Sequence, residues 1–323
     1  MKKIIVAPDS FKGSLTSAEV ADAVERGIKD VFPQCNVVKA GVADGGEGTV
    51  EAIVKAVGGD MYAASVTDPL GRPVKAAYGI VRSGGVKTAV MEMSAASGLP
   101  LLLPDELNPW ITSTYGTGEM ISDALNRGCR KFLVGIGGSA TNDAGTGMLS
   151  ALGVRFLDSS GQRLKGCGRD LEAIARIDMS SLMPAARESE FIVACDVNTP
   201  FCGPDGAARV FAPQKGADPQ TLDLGMRSFA QVIAEQFQTD IVPLSGAGAA
   251  GGLGGAFKAF LNARLTAGIE MVLDAIAFDS LLEGADLVIT GEGRIDAQTA
   301  AGKTAAGVLR HAARKGIPVI AIG

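Results

Sequence analysis

Histidine is almost absent from this chain: among 323 residues His311 is the only one. A Ser–His or Cys–His nucleophilic pair would have to run through that one residue, which sits mid-helix in "LRHAARKG". Acid–base chemistry therefore falls to carboxylates and lysines. The five cysteines (35, 129, 167, 195 and 202) are odd in number and form no C-x-x-C pair. That argues against a disulfide scaffold or zinc site and for a reduced, cytoplasmic enzyme. Positive charge is not in excess: 30 Lys and Arg stand against 35 Asp and Glu, with a pI near 5.1. With no basic patch carrying interleaved aromatics, neither nucleic acid nor an anionic membrane surface is expected as partner. No uncharged run reaches membrane-spanning length. The apolar run in "MKKIIVAPDS" is four residues long and reads as a strand rather than a signal peptide.

What is abundant is glycine, 43 residues against 14 prolines and 5% aromatics, which points to many tight loops around aliphatic cores. Hydrophobic residues at 47% and charged residues at 20% give a globular balance. Strands and helices alternate at the start: "KKIIVAP", the helix "TSAEVADAVERGIKDVF" with Thr16 and Glu19 spaced as a capping box, "NVVKAGV", then a helix ending at Gly58–Gly59. Residues 60–93 read as hairpins, and alternation resumes with a helix near 113–127, the strand "RKFLVGI" and a helix near 141–152. A long helix is expected over 219–238, and "ADLVITGEG", "AAGVLRHAARKG" and "IPVIAIG" close the chain as strand, helix and strand. Strands separated by helices imply a parallel sheet covered on both faces. Five are assigned to one sheet: 3–7, 36–40, 131–136, 286–290 and 318–322. The expectation is an α/β fold with a doubly wound, Rossmann-like sheet of order 2-1-3-4-5 built from 1–59, 111–152 and 281–323. Residues 60–110 and 153–280 are expected to form a second, inserted α/β domain. Because the last residues form an apolar strand, further C-terminal sequence is expected.

Ligands of open α/β sheets sit beyond the carboxyl ends of the strands. There the chain has "PDSFKGS", "VADGGEGT", "GGSATNDAG" and "TGEGRIDAQT", each combining glycine with carboxylates, two adding the cations Lys12 and Arg294. Each has a plainer reading: a turn before a helix cap, a capping box at Asp44 and Glu47, a solvated ion cluster at Glu292, Arg294 and Asp296. The run "GAGAAGGLGG" fits either a close-packed turn or a hinge. Gly135, Gly137 and Ala140 match a dinucleotide fingerprint, with Asp158 placed as a ribose acid, so an NAD(P)-dependent dehydrogenase is the alternative. Against it, Asp143 stands where a pyrophosphate needs bare helix N–H groups. "AQTAAGKT" resembles a Walker A loop but has Ala297 in place of the first glycine and reads better as a helix start, with Lys303 still able to reach a ligand. Carboxylates, glycine loops and cations together meet the needs of phosphoryl transfer: backbone donors for phosphates, acids for Mg²⁺, cations for the moving group.

Taken in order, "APDSFKGSL", "ADGGEGT", "GIGGSATNDAGTG", "ACDV", "PQKGA", "GAGAAGGLG" and "GEGRIDAQT…GK" resemble the type I glycerate kinase family over almost the whole chain. After "ACDV" this chain carries Asn198-Thr199-Pro200, a departure from the Asp-Asn-Pro-like run expected in relatives. The resemblance implies ATP- and Mg²⁺-dependent phosphorylation of D-glycerate, mostly to 2-phosphoglycerate, in a cleft between a Rossmann-like domain and an inserted one. The resemblance is compatible with a homodimer. Asp196 is assigned as the base, with Lys12 and Arg294 as cations for the phosphoryl group or the glycerate carboxylate. Ser10, Gly13, Gly137, Gly138, Ser139 and Lys215 are assigned to phosphate or nucleotide, Lys215 entering on domain closure. Asp9, Asn142, Asp296 and Gln298 are assigned to substrate. Asp44, Asp143 and Glu292 are the candidate magnesium-side acids.

Overall fold

The chain's first apolar run becomes a central strand because parallel neighbours cover both its edges and its side chains are buried on both faces. Ile4, Ile5, Val6 and Ala7 are consecutively buried, the pattern of a parallel sheet with both faces packed. The computed structural model describes residues 2–11, 13–83, 85–295 and 304–323. Its strands are β1 (Lys3–Pro8), β2 (Asn36–Lys39), β3 (Gly59–Thr67), β4 (Pro73–Ser83), β5 (Val86–Glu92), β6 (Lys131–Gly135), β7 (Arg155–Leu157), β8 (Arg176–Asp178), β9 (Glu190–Ala194), β10 (Arg264–Thr266), β11 (Leu287–Gly291) and β12 (Val319–Ile322).

The chain divides into two units, one of residues 1–60, 81–83 and 267–323, the other of 61–80 and 84–266. In the first, four parallel strands lie in the order β12-β11-β1-β2, with Ile5 beside both Val288 and Val38. The capping box forms as the sequence predicts: Thr16 Oγ1 accepts from the Glu19 N–H at 3.3 Å, and Glu19 Oε2 accepts from the Thr16 N–H at 2.8 Å. Val20, Ala21 and Ile28 are the buried face of that helix, Ser17–Val31. The helix Thr49–Val57 differs from expectation. It starts after Gly48 in a left-handed conformation with no side-chain cap, so Asp44 and Glu47 form no capping box there.

In the second unit six strands lie in the order β10-β9-β6-β5-β4-β3, of which β5, β6, β9 and β10 run parallel. Residues 60–93 are indeed β3, β4 and β5. Residues 131–136 are not the middle strand of the first sheet. β6 pairs Val134 with Met91 on one side and Val193 on the other, so the first sheet has four strands among the described residues and the order 2-1-4-5 in the numbering used for the expectation. Accordingly residues 111–152 fall in the second unit and 267–280 in the first. The helix Pro219–Phe237 is capped by Asp218, whose carboxylate accepts from the Thr221 N–H, and buries Leu222, Met226, Phe229 and Ile233. Each such side chain contributes about 1.5–3 kcal/mol on burial.

The glycine run is a close-packed turn. Ala250, Gly251 and Gly252 are consecutively left-handed, at the start of the segment Ala249–Leu261. A Cβ on Gly251 would lie 2.3 Å from the Thr141 carbonyl oxygen and 2.6 Å from Asn142 Cα. The Gly251 carbonyl also accepts from the Ala144 N–H at 2.9 Å. The run therefore clamps the loop that follows β6.

Candidate active site

In the first unit the candidate residues collect where β1, β2 and β11 end. The Asp9 N–H donates to the Gly291 carbonyl at 2.8 Å, tying the exits of β1 and β11 side by side. Asp9 is buried. Its Oδ1 accepts from the Ser10 N–H at 2.6 Å and its Oδ2 from the Thr304 hydroxyl at 2.5 Å. Asp9 thus fastens the β1 exit to the start of the helix Thr304–Arg314. Asp44 lies beyond β2, half-buried, with Oδ1 accepting from the Gly46 N–H at 3.1 Å. Glu292 follows β11 directly, and its Oε1 is buried without a hydrogen-bond partner among the described residues. Arg294, two residues on, is exposed, as is Gly13, while Ser10 is half-buried. Lys12, Asp296, Gln298, Ala297 and Lys303 lie outside the described residues.

In the second unit the exits of β6 and β9 are adjacent, Gly135 beside Ala194. Gly137 and Gly138 are exposed, and their N–H groups donate to nothing among the described residues. Ser139 comes next and is buried. Lys215, in the short 3₁₀ turn Pro213–Lys215, is 1% exposed and donates to Ser139 Oγ at 2.8 Å and to the Thr141 carbonyl at 2.6 Å. Ser139 and Lys215, 76 residues apart in the sequence, thus meet within one unit. Burial pushes the Lys215 ammonium down to about 7, against the pull of the Asp143 charge. Beside them Thr141 Oγ1 and Asn142 Oδ1 are buried and unpartnered among the described residues, and Asn142 Nδ2 lies 3.3 Å from the Met226 sulfur. Asp196 is exposed just past β9.

Asp143 does not fit the metal-side role. It is fully buried, and every side of its carboxylate is taken. Oδ2 accepts from the Thr114 N–H at 2.7 Å, the Thr114 hydroxyl at 2.8 Å and the Gly147 N–H at 3.2 Å, and Oδ1 from the Gly145 N–H at 3.1 Å. Thr114 Oγ1 itself accepts from the Met148 N–H, so its proton is directed at Asp143. Burial pushes this carboxyl up, while those hydrogen bonds pull it down. Thr114 and Thr304, the partners that fix Asp143 and Asp9, carry no signal in the sequence, because each lies far along the chain from its carboxylate.

The dinucleotide reading fails on the same geometry. The helix Thr146–Ala151 already has the Asp143 carboxylate at its N-terminal N–H groups, where a pyrophosphate would sit. Asp158 is spent on its own turn, accepting from the N–H groups of Ser160 and Gln162. Among the described residues no group of three acidic, histidine or cysteine side chains is arranged to hold a metal ion, and no helix is long and apolar enough to cross a membrane. Magnesium in phosphoryl transfer needs only one or two carboxylates, its other ligands being phosphates and water. Glu292, with its orphaned Oε1, fits that demand.

His311 is a structural residue, as its mid-helix position suggests. It is 5% exposed, with Nε2 2.9 Å from Glu270 Oε2 and Nδ1 2.7 Å from Asp279 Oδ1. Burial disfavours its charged form, but the two carboxylates outweigh that and raise its pKa.

The model of the glycerate kinase family matches residues 4–323. The chain is 50% identical to a glycerate kinase of Bacillus subtilis over 99% of its length and 84% of the relative's. It is 46% identical to a glycerate 2-kinase of Escherichia coli, again over 99% and 84%. The crystal structure of a protein named for glycerate kinase 2 from Salmonella typhimurium LT2 superposes with a TM-score of 0.94 at 46% identity, covering 99% of this chain and 86% of that one.

Proposed function

The chain belongs to the glycerate kinase family and is an enzyme of the kinase class, and from that premise we propose that it transfers the γ-phosphoryl group of ATP to the 2-hydroxyl of D-glycerate. The observation that carries the proposal is the loop after β6. Exposed Gly137 and Gly138 N–H groups stand next to Ser139 and a buried lysine with no ion-pair partner among the described residues. Backbone donors without acceptors, beside a lysine amine, are complementary to phosphate oxygens. The 2-product is favoured by the likeness to the Escherichia coli protein, whose name specifies that position.

Asp196, exposed at the exit of β9, is the base that accepts the hydroxyl proton. Arg294 pairs with the glycerate carboxylate, where its planar fork binds two oxygens at once, and Lys12 serves the phosphoryl group. Ser10 and Gly13 line the nucleotide phosphates. Asp296 and Gln298 hold substrate, while Asp9 and Asn142, each buried in its own unit, support the loops that carry neighbouring site residues. Glu292 and Asp44 would hold Mg²⁺, which supplies neutralisation of phosphate charge. Asp143 organises the loop and holds no metal. A soluble cytoplasmic location and a homodimer remain part of the reading, with small molecules as the only other partners.

The experiment is an ADP-release assay with D-glycerate, L-glycerate and no acid, each with and without Mg²⁺. ADP release that needs both D-glycerate and Mg²⁺ is expected. Release that is indifferent to the acid would reject a glycerate-specific kinase.

A further inference from the structure

An activated nucleophile is recognised by a hydroxyl within hydrogen-bond reach of a base that a third group holds in place. Ser139, Lys215 and the Thr141 carbonyl make that arrangement, at 2.8 Å and 2.6 Å. A neutral amine has two N–H donors and one lone pair. Directing an N–H at the Thr141 carbonyl leaves the lone pair able to accept the Ser139 proton. The amine is drawn toward that neutral form by its surroundings. It is 1% exposed, its hydrogen-bond partners are uncharged, and the carboxylate whose charge acts on it, Asp143, gives its oxygens to Thr114, Gly145 and Gly147. Its ammonium is pushed down to about 7 by burial. The hydroxyl follows directly on the two exposed glycines assigned above to phosphate.

We propose that Ser139 is a second phosphoryl acceptor, taking the γ-phosphoryl group of ATP when D-glycerate is absent, with Lys215 as its base. The inference rests on the ATP-dependent reading of the same site. In the step, Ser139 Oγ forms a bond to the γ-phosphorus as the bond from that phosphorus to the β,γ-bridging oxygen breaks. The bonding pair leaves with ADP, and the hydroxyl proton passes to Lys215 Nζ. The products are a phosphoserine and an ammonium in contact, so the two charges created in the step are paired with each other. A phosphoserine at 139 occupies the position that the γ-phosphoryl group takes in turnover. The modified enzyme is therefore self-inhibited until the phosphate is lost.

The test is incubation of the full chain with Mg-ATP and no glycerate, followed by intact mass and peptide mapping. The expected result is a gain of roughly 80 Da, one phosphoryl group, on the peptide holding Ser139. The gain is suppressed by saturating D-glycerate, abolished in Ser139→Ala, and slowed at least tenfold in Lys215→Arg, whose guanidinium cannot serve as a base at neutral pH. A readout that needs no variant is the pH dependence of labelling in the wild type, which rises through an apparent pKa near 7 as the amine becomes neutral. A preparation that turns over D-glycerate with ATP yet gains no mass at Ser139 overturns the inference alone. So does labelling that is pH-independent or unslowed in Lys215→Arg. Loss of both turnover and label overturns the ATP reading and this inference with it.

Discussion

Replacing Asp143 with alanine removes the acceptor of four hydrogen bonds at one stroke. The donors are the Thr114 N–H and hydroxyl and the N–H groups of Gly145 and Gly147, all buried with it. An orphaned buried donor costs about 1–3 kcal/mol. Four would sum higher than the protein will bear unrelaxed, so water and backbone shifts reduce the loss to about 3–5 kcal/mol, the range for breaking a buried charged network. Asp143→Asn is milder. Its one amide oxygen can turn to the three donors at the Oδ2 position, leaving only the Gly145 N–H facing an NH₂, a loss of about 1–3 kcal/mol. Trp110, the only tryptophan, packs against the core of the second unit, so its emission reports that unit's unfolding in urea. The expected order of midpoints is wild type, Asp143→Asn, Asp143→Ala, with an unchanged Mg²⁺ requirement in whatever folded enzyme remains. A wild-type midpoint in Asp143→Ala, together with a weakened response to Mg²⁺, would refute the reasoning and return Asp143 to the metal.

Lys215 sets the pH slope of the same unit. Its pKa is near 7 when folded and about 10.4 when unfolded, so the unfolded chain binds more protons between those values, and stability should rise with pH across 7–10, by at most about 1.4 kcal/mol per pH unit. Lys215→Met should flatten that slope in denaturation midpoints while kinase activity falls. His311 works in the opposite sense. Its folded pKa is raised, so its contribution is full below about 6.5, the ordinary histidine value, and is lost as pH rises through the folded pKa. His311→Gln should remove that decline, and a flat wild-type profile would reject the Glu270–His311–Asp279 clasp. Gly251→Ala places a Cβ against the Thr141 carbonyl at a φ of +67° and should cost about 2–4 kcal/mol. A change below 0.5 kcal/mol, ordinary for a surface site, would show that the glycine turn is not a clamp. Asp196→Asn should lower kcat by two orders of magnitude or more, as loss of a general base does, with nucleotide binding retained in calorimetry.

What was legible in the sequence is what local spacing decides. The Thr16–Glu19 capping box, the hairpins of 60–93, the helix starting near 219 and the glycine-and-carboxylate loops at strand exits all follow from residues a few positions apart. Which sheet β6 joins was not legible. A strand flanked by helices looks the same in either sheet, and its partners are Thr88–Glu92 and Glu190–Ala194, far along the chain. The same limit hid the partners of Asp143. A carboxylate ahead of a helix reads as metal-side until its partner Thr114, 29 residues away, is known. Lys215 and Ser139, 76 residues apart, could be named separately but not as a pair.

Phosphorus NMR of the enzyme with Mg-ATP and D-glycerate tests the central claim most directly. The account predicts ATP signals falling as ADP and one phosphomonoester rise, the latter split into a doublet by the single hydrogen on carbon 2. A triplet from the two hydrogens on carbon 3 would contradict the proposed position of transfer, and unchanged ATP would contradict the kinase reading itself.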